Sequence, residues 1–139
     1  LGRNPRLAGI KHLNRLEQVL ARAERDDAAM ADALMMDELD NMIGGTQTNL
    51  FARIAGRWTT PALDQCGVAG VMRRAFLVWV SERGEPVIER SLPAAELAGA
   101  TAMLLTNAVI GAWPVSERAG RALAIDPQVA EFNAWVQHQ

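Results

Sequence analysis

The sequence predicts one α/β domain (α+β mixed) of short strands and amphipathic helices. Three observations predict it. Short apolar runs bounded by glycine, proline and asparagine recur between residues 32 and 115. Longer runs with apolar residues three and four apart lie before, between and after them. The chain has 139 residues, 50% of them apolar, enough for one core.

The first helix is predicted to start after Asn14. Asn14 and Glu17 are spaced as the N-cap and N3 residues of a capping box. Leu13, Leu16, Leu20 and Ala23 form one apolar face, with Arg15, Gln18, Arg22 and Arg25 opposite. Asp32 to Met36 reads as a strand, and Asp37 to Asn41 as a polar turn. Met42-Ile43 leads into a glycine-led turn over Gly44 to Asn49. Leu50 to Ile54 and Arg57 to Thr59 read as hairpin partners around Gly56, ended by Pro61. Gly67 to Gly70 opens a long amphipathic helix, Val71 to Glu82, stopped by Gly84. Val87 to Arg90 is a short strand. Pro93, suited to N1, opens a helix through Leu97. Met103 to Thr106 and Ala112 to Val115 are strands around the turn Asn107 to Gly111. Pro127 opens a last helix to Val136, with Asp126 as its N-cap.

Composition excludes several function classes. Net charge is −2 and no basic run occurs, so nucleic acid is not an expected partner. The most apolar window, Ala98 to Val115, is interrupted by Thr101, Thr106, Asn107, Gly111 and Pro114. It reads as two buried strands and not as a membrane span. A single cysteine, Cys66, excludes an internal disulfide and fits a reducing cytoplasm. No signal-peptide pattern is present. The chain opens on Leu1-Gly2-Arg3-Asn4-Pro5 without an initiator methionine, and reads as a piece of a longer protein.

Lys11 is the candidate for chemistry. It is the only lysine; the other thirteen basic residues are arginines. Lysine can lose its proton and act as an amine nucleophile, whereas guanidinium stays charged. From these residues alone an ordinary surface lysine reads equally well. Gly67-Val68-Ala69-Gly70-Val71-Met72-Arg73 places two glycines before a helix, a position that suits phosphate; a plain glycine turn is the commoner meaning. In Gly44 to Asn49, Thr46 and Asn49 can pin a turn through side-chain bonds to backbone. Thr106-Asn107 ends an apolar strand with polar groups, which face a ligand or cap a turn. His12, His138 and Cys66 make no recognised metal spacing, and no Ser/His/Asp or Cys/His pattern stands out.

Leu7 to Leu20, centred on Lys11, closely resembles the lysine segment of the aminodeoxychorismate lyase family. That family is a branch of the class-IV (fold type IV) pyridoxal-phosphate enzymes, with branched-chain and D-amino-acid aminotransferases. Further matching segments follow in family order: Ile43 to Phe51, Leu63 to Arg73, Leu105 to Ala108, and Trp113 to Val115. The resemblance covers nearly the whole chain. It implies the larger, C-terminal domain of the fold type IV architecture, a mixed-strand pseudo-barrel flanked by helices, without the smaller N-terminal domain.

The resemblance implies roles. Lys11 matches the lysine that holds pyridoxal 5'-phosphate as a Schiff base and moves the proton. Gly70, Val71 and Met72 match the helix start whose backbone N–H groups hold the cofactor phosphate. Asn107 and Ala108 match a second phosphate-side turn. Gly44 stands where the family usually has a glutamate that keeps the pyridine nitrogen protonated. The reaction implied is loss of pyruvate from 4-amino-4-deoxychorismate to give 4-aminobenzoate, a folate precursor, in a cytoplasmic homodimer. A class-IV aminotransferase and an inactive fragment are the alternatives. The absent glutamate weakens the electron sink, and so either favours slightly a lyase driven by aromatisation or signals reduced activity.

Overall fold

The computed structural model describes residues 1–24 and 28–139. Arg25, assigned above to the polar face of the first helix, lies outside the described residues. Seven strands form one sheet: β1 (Leu34–Met36), β2 (Met42–Gly45), β3 (Asn49–Ile54), β4 (Arg57–Pro61), β5 (Ile88–Arg90), β6 (Ala102–Asn107) and β7 (Gly111–Pro114). A separate ribbon pairs β8 (Glu117–Arg118) with β9 (Arg121–Ala122). Among the described residues three helices accompany them, α1 (Leu16–Ala23), α2 (Val71–Ser81) and α3 (Gln128–Val136), with a short 3-10 turn at Ala94–Gly99.

Strand β3 is the hub. Along one edge it pairs antiparallel with β6 from Asn49 to Arg53. It also pairs with β4 from Ala52 to Ile54, and with β2 only at Asn49, opposite Gly44. The β3–β4 hairpin turns through Ala55 and Gly56, both at positive φ (49° and 77°), as a tight two-residue hairpin requires. β4 and β5 run parallel, joined by α2. That pairing makes the sheet mixed.

Alternation along β3 and β6 sends side chains to two faces. Phe51, Ala102 and Leu104 join Phe76, Trp79 and Val80 of α2 and Val129 and Phe132 of α3. Leu50, Ala52, Met103 and Leu105 join Met42, Leu92, Leu97 and Ala100 on the other face. In α2, Phe76, Trp79 and Val80 recur three and four residues apart, so one stripe is sealed against the sheet. The window Ala98 to Val115 folds as β6 and β7. Among the described residues no helix is long and apolar enough to cross a membrane.

Several sequence expectations are corrected. The N-cap of α1 is Arg15 and no side chain caps it. Glu17 Oε1 instead accepts from the Gly2 N–H (2.9 Å), because the incoming chain runs past the helix start and takes the carboxylate. Leu13 lies outside α1 and is fully exposed. Asp32 is not in a strand; its carboxylate anchors the turn after β2. Gly44 and Gly45 belong to β2, so that turn is shorter than expected. The helix expected at Pro93 is a 3-10 turn. The N-cap of α3 is Pro127 and not Asp126, so the helix starts one residue later than expected; Asp126 Oδ1 accepts from the Gln128 N–H (3.0 Å) from just outside it.

Candidate active site

Four segments meet at the start of α2: residues 9–15, 44–49, 67–72 and 106–108. The first is tied to the third by backbone bonds. The Gly9 N–H donates to Gly67 O (2.9 Å), and the Ala69 N–H donates to Gly9 O (3.1 Å). Gly9 and Val68 form a parallel bridge, so both chains leave it in one direction. Lys11 follows two residues after Gly9 as Gly70 follows two after Val68. The same segment reaches the turn after β2, where Arg15 Nη2 donates to Thr46 O (3.1 Å).

Lys11 is exposed, and its amine makes no hydrogen bond or ion pair with any described residue. At the start of α2, Val71 is exposed, while Gly70 and Met72 are half-buried. Its N-cap, Gly70, carries no side-chain cap, and no acidic residue lies in the first turn. The Gly70 N–H is already taken, donating to Asn49 Oδ1 (3.1 Å). The Val71 and Met72 N–H groups are free of capping side chains and carry the positive end of the helix dipole. The chemistry of these groups suits a phosphate monoester at the helix start and an aldehyde at the Lys11 amine. The residues present therefore suit pyridoxal phosphate on their own chemistry.

Asn107 serves as a cap. Its Oδ1 accepts from the Val109 and Ile110 N–H groups (2.9 Å each), and its Nδ2 donates to Gln47 O (3.3 Å). That fixes the turn bearing Ala108 against residues 46–48. The neighbouring Thr106 hydroxyl is fully buried and has no partner among the described residues.

Gly44 is buried in β2, on the same face as its partner Asn49. A Cβ built there would lie 2.5 Å from Thr48 O. No side chain enters without moving the backbone of the turn, so a glutamate at this position would be excluded sterically. Glu38 does not replace it: it sits in the β1–β2 turn at the far end of β2, accepting from the Arg3 N–H (3.0 Å). Asp32 does not either. It accepts from the Thr46 N–H (3.0 Å) and from the Thr46 and Thr48 hydroxyls (2.6 and 2.8 Å). It lies by Gly45, on the opposite face from Gly44.

Sequence reasoning missed Asp32 as an anchor and gave Asn49 the wrong object. Asn49 pins the loop before α2, not its own turn, as its Nδ2 donates to Val68 O (2.7 Å). The signal for Asp32 was two nearby threonines, whose hydroxyls need an acceptor when buried. Burial pushes the Cys66 thiol up, so it is a poor nucleophile. A cleft of about 710 Å³ lies elsewhere, between residues 29–36 and 113–119. It contains none of the predicted site residues and no amine, thiol or imidazole, so volume alone does not mark the site.

The sequence model described as "Amino-transferase class IV" matches residues 2–117. The chain is 40% identical over 137 residues to an aminodeoxychorismate lyase of Vibrio harveyi, covering 99% of this chain and 51% of that protein. The crystal structure of 4-amino-4-deoxychorismate lyase from Pseudomonas aeruginosa superposes with a TM-score of 0.93 at 39% identity, covering all of this chain and 52% of that one. A fold IV transaminase of Curtobacterium pusillum superposes with a TM-score of 0.86 at 28% identity, over 96% of this chain and 46% of that one. The chain thus spans about half the length of the relatives it matches.

Proposed function

We propose, from the premise that the chain belongs to the class IV aminotransferase family, that it is the cofactor-holding part of a 4-amino-4-deoxychorismate lyase. The reaction is release of pyruvate from 4-amino-4-deoxychorismate to give 4-aminobenzoate. The observation that carries this reading is one unpartnered amine, Lys11, held in register with an uncapped helix start. Likeness to the lyases over nearly the whole chain supports the choice of reaction. The rest of the protein would complete the substrate site, in a cytoplasmic homodimer.

Lys11 would hold pyridoxal phosphate through its amine. The Val71 and Met72 N–H groups would hold the phosphate, with the Asn107–Ala108 turn beside them. The bound group supplies an electron sink for the pair left when the carbon bearing the substrate nitrogen loses its proton. The Lys11 amine would take that proton. Loss of pyruvate then leaves an aromatic ring, which drives the elimination forward. Gly44 supports the lyase over an aminotransferase. Without a carboxylate there, nothing at that position favours a protonated ring nitrogen. A reaction ending in aromatisation would depend less on that sink than transamination would.

The test uses the full-length protein. 4-Aminobenzoate and pyruvate are expected in equal amounts from 4-amino-4-deoxychorismate, and Lys11→Ala is expected to lower turnover by at least about a thousandfold. Borohydride treatment of the loaded protein followed by peptide mapping is expected to leave the label on Lys11. Faster formation of a keto acid from an amino-acid donor would make it an aminotransferase.

A further inference from the structure

We infer that Asn49 is the positioning residue that sets Lys11 against the start of α2, and thereby the preference for a cofactor carrying phosphate over one without it. This rests on the cofactor reading above.

Asn49 is 8% exposed, and each of its groups is committed. Its backbone pairs with Gly44 on one side and Thr106 on the other. Its amide donates to Val68 O (2.7 Å) and accepts from the Gly70 N–H (3.1 Å). A carbonyl faces the NH₂ and an N–H faces the oxygen, so only one orientation of the amide satisfies both. The contact is close enough to dictate the neighbouring residue. Gly70 has φ −69° and ψ 151°, open to any residue, yet a Cβ there would lie 2.5 Å from Asn49 Oδ1. Glycine is required at Gly70 by the approach of Asn49, not by its backbone angles.

The stretch held by Asn49, residues 68–70, is also the one that carries Lys11. Val68 bridges Gly9, and the Ala69 N–H donates to Gly9 O. The nucleophile segment and the phosphate-facing N–H groups therefore hang from one clamp. No other side chain caps α2, so its first turn is aimed by this bond to the N-cap N–H. A shift of about 1 Å between amine and phosphate site is enough to spoil a two-point fit. Pyridoxal phosphate uses both points, whereas pyridoxal uses only the amine. Loosening the clamp is thus felt mainly by the phosphate ester.

The experiment titrates full-length apoprotein with pyridoxal 5'-phosphate and with pyridoxal, in wild type, Asn49→Ala, Asn49→Asp and Thr60→Val. Binding is followed by absorbance and by borohydride-trapped label on Lys11. Asn49→Ala is expected to weaken the phosphate ester at least about tenfold more than pyridoxal. Asn49→Asp keeps the shape, turns an acceptor towards Val68 O and puts negative charge beside the phosphate; about a hundredfold is expected. Thr60→Val removes another buried side-chain bond, to Leu50 O (2.7 Å), which joins β4 to β3 and involves neither residues 68–70 nor the Lys11 segment. It is expected to lower Tm and leave the ratio of the two affinities unchanged. If Asn49→Ala does not fold, Asn49→Ser is held to the same threshold. A ratio unmoved in the Asn49 variants, with Tm lowered as in Thr60→Val, overturns the inference and leaves the proposed function standing. Wild type that takes up neither compound overturns both.

Discussion

Helix α2 buries Arg73, Phe76, Trp79 and Val80; helix α1, as clearly amphipathic in sequence, buries none of its eight residues. Leu16, Val19 and Leu20 of α1 are between 55% and 64% exposed. An apolar stripe says that a helix has a side to bury, but not whether anything lies against it. α2 follows the strand pair β3–β4 and crosses over to β5, which lays it on the sheet. α1 is attached through backbone bonds of the preceding segment and through the Arg15 side chain. Stability is thus concentrated under α2, while the amine at Lys11 sits on the more open side. The two halves of the site differ in how firmly each is held.

The largest effect expected from this contrast is at Phe76. It is fully buried and meets the rings of Phe51, Trp58, Trp79 and Phe132 at centroid distances of 4.8, 5.8, 6.0 and 5.2 Å. Phe76→Ala is expected to destabilise by about 3–5 kcal/mol, through lost transfer energy and a cavity the rigid sheet cannot close. Denaturant titration of wild type and variant measures it. A loss below about 1 kcal/mol would mean that the core does not centre on α2.

What was legible in the sequence divides along the same line. β3, β4, α2, β6 and β7 were readable because local signals agree there: alternation, glycine punctuation and one continuous stripe. Lys11 stood out by being alone. The features that assemble the site were not readable, since they are bonds between residues far apart in the chain. Asn49 reaches 19 residues to Val68, and Asp32 reaches 14 to Thr46. The capping box at Asn14 and Glu17 failed for the same reason. Gly2 lies 15 residues before Glu17, and it supplies the N–H that the carboxylate takes. Spacing rules describe local competition only, and a long-range donor wins when the chain delivers it.

Asp37 offers a middle-sized test of how the open side is held. It accepts from the Leu39 and Asn41 N–H groups (2.9 and 3.0 Å) and lies 3.6 Å from Arg3 Nε, joining the β1–β2 turn to the N-terminal segment. Burial pushes its carboxyl up, but the bonds from Asn41 and Leu39, with Arg3 nearby, outweigh burial and hold it below its ordinary value. A depressed carboxyl stabilises the fold above its unfolded value of about 4, and that contribution fades as pH falls through the lower folded value. Asp37→Asn is expected to destabilise by about 1–3 kcal/mol at pH 7. The gap between variant and wild type is expected to shrink steadily below about pH 4. Denaturation curves at pH 7 and in acid check the sign; a gap that widens in acid contradicts it.

The smallest effect is expected on the exposed face of α1, and it sharpens the comparison most. Leu16 and Leu20 are 64% and 55% exposed, so replacing them removes little buried surface. Glutamine is nearly as good a helix former as leucine, so helix propensity changes little. In the 139-residue chain, Leu16→Gln with Leu20→Gln is therefore expected to change stability by no more than about 0.5 kcal/mol. The same pair in the full-length protein asks what else lies on that face. If the rest of the protein or a second copy covers both leucines, the loss there is expected to exceed 2 kcal/mol, about the burial energy of one leucine. A loss of that size in the short chain would show that α1 is packed within this domain, and the contrast with α2 would fall. Equal, near-zero changes in both would leave α1 as the exposed support of Lys11 in the full-length protein too.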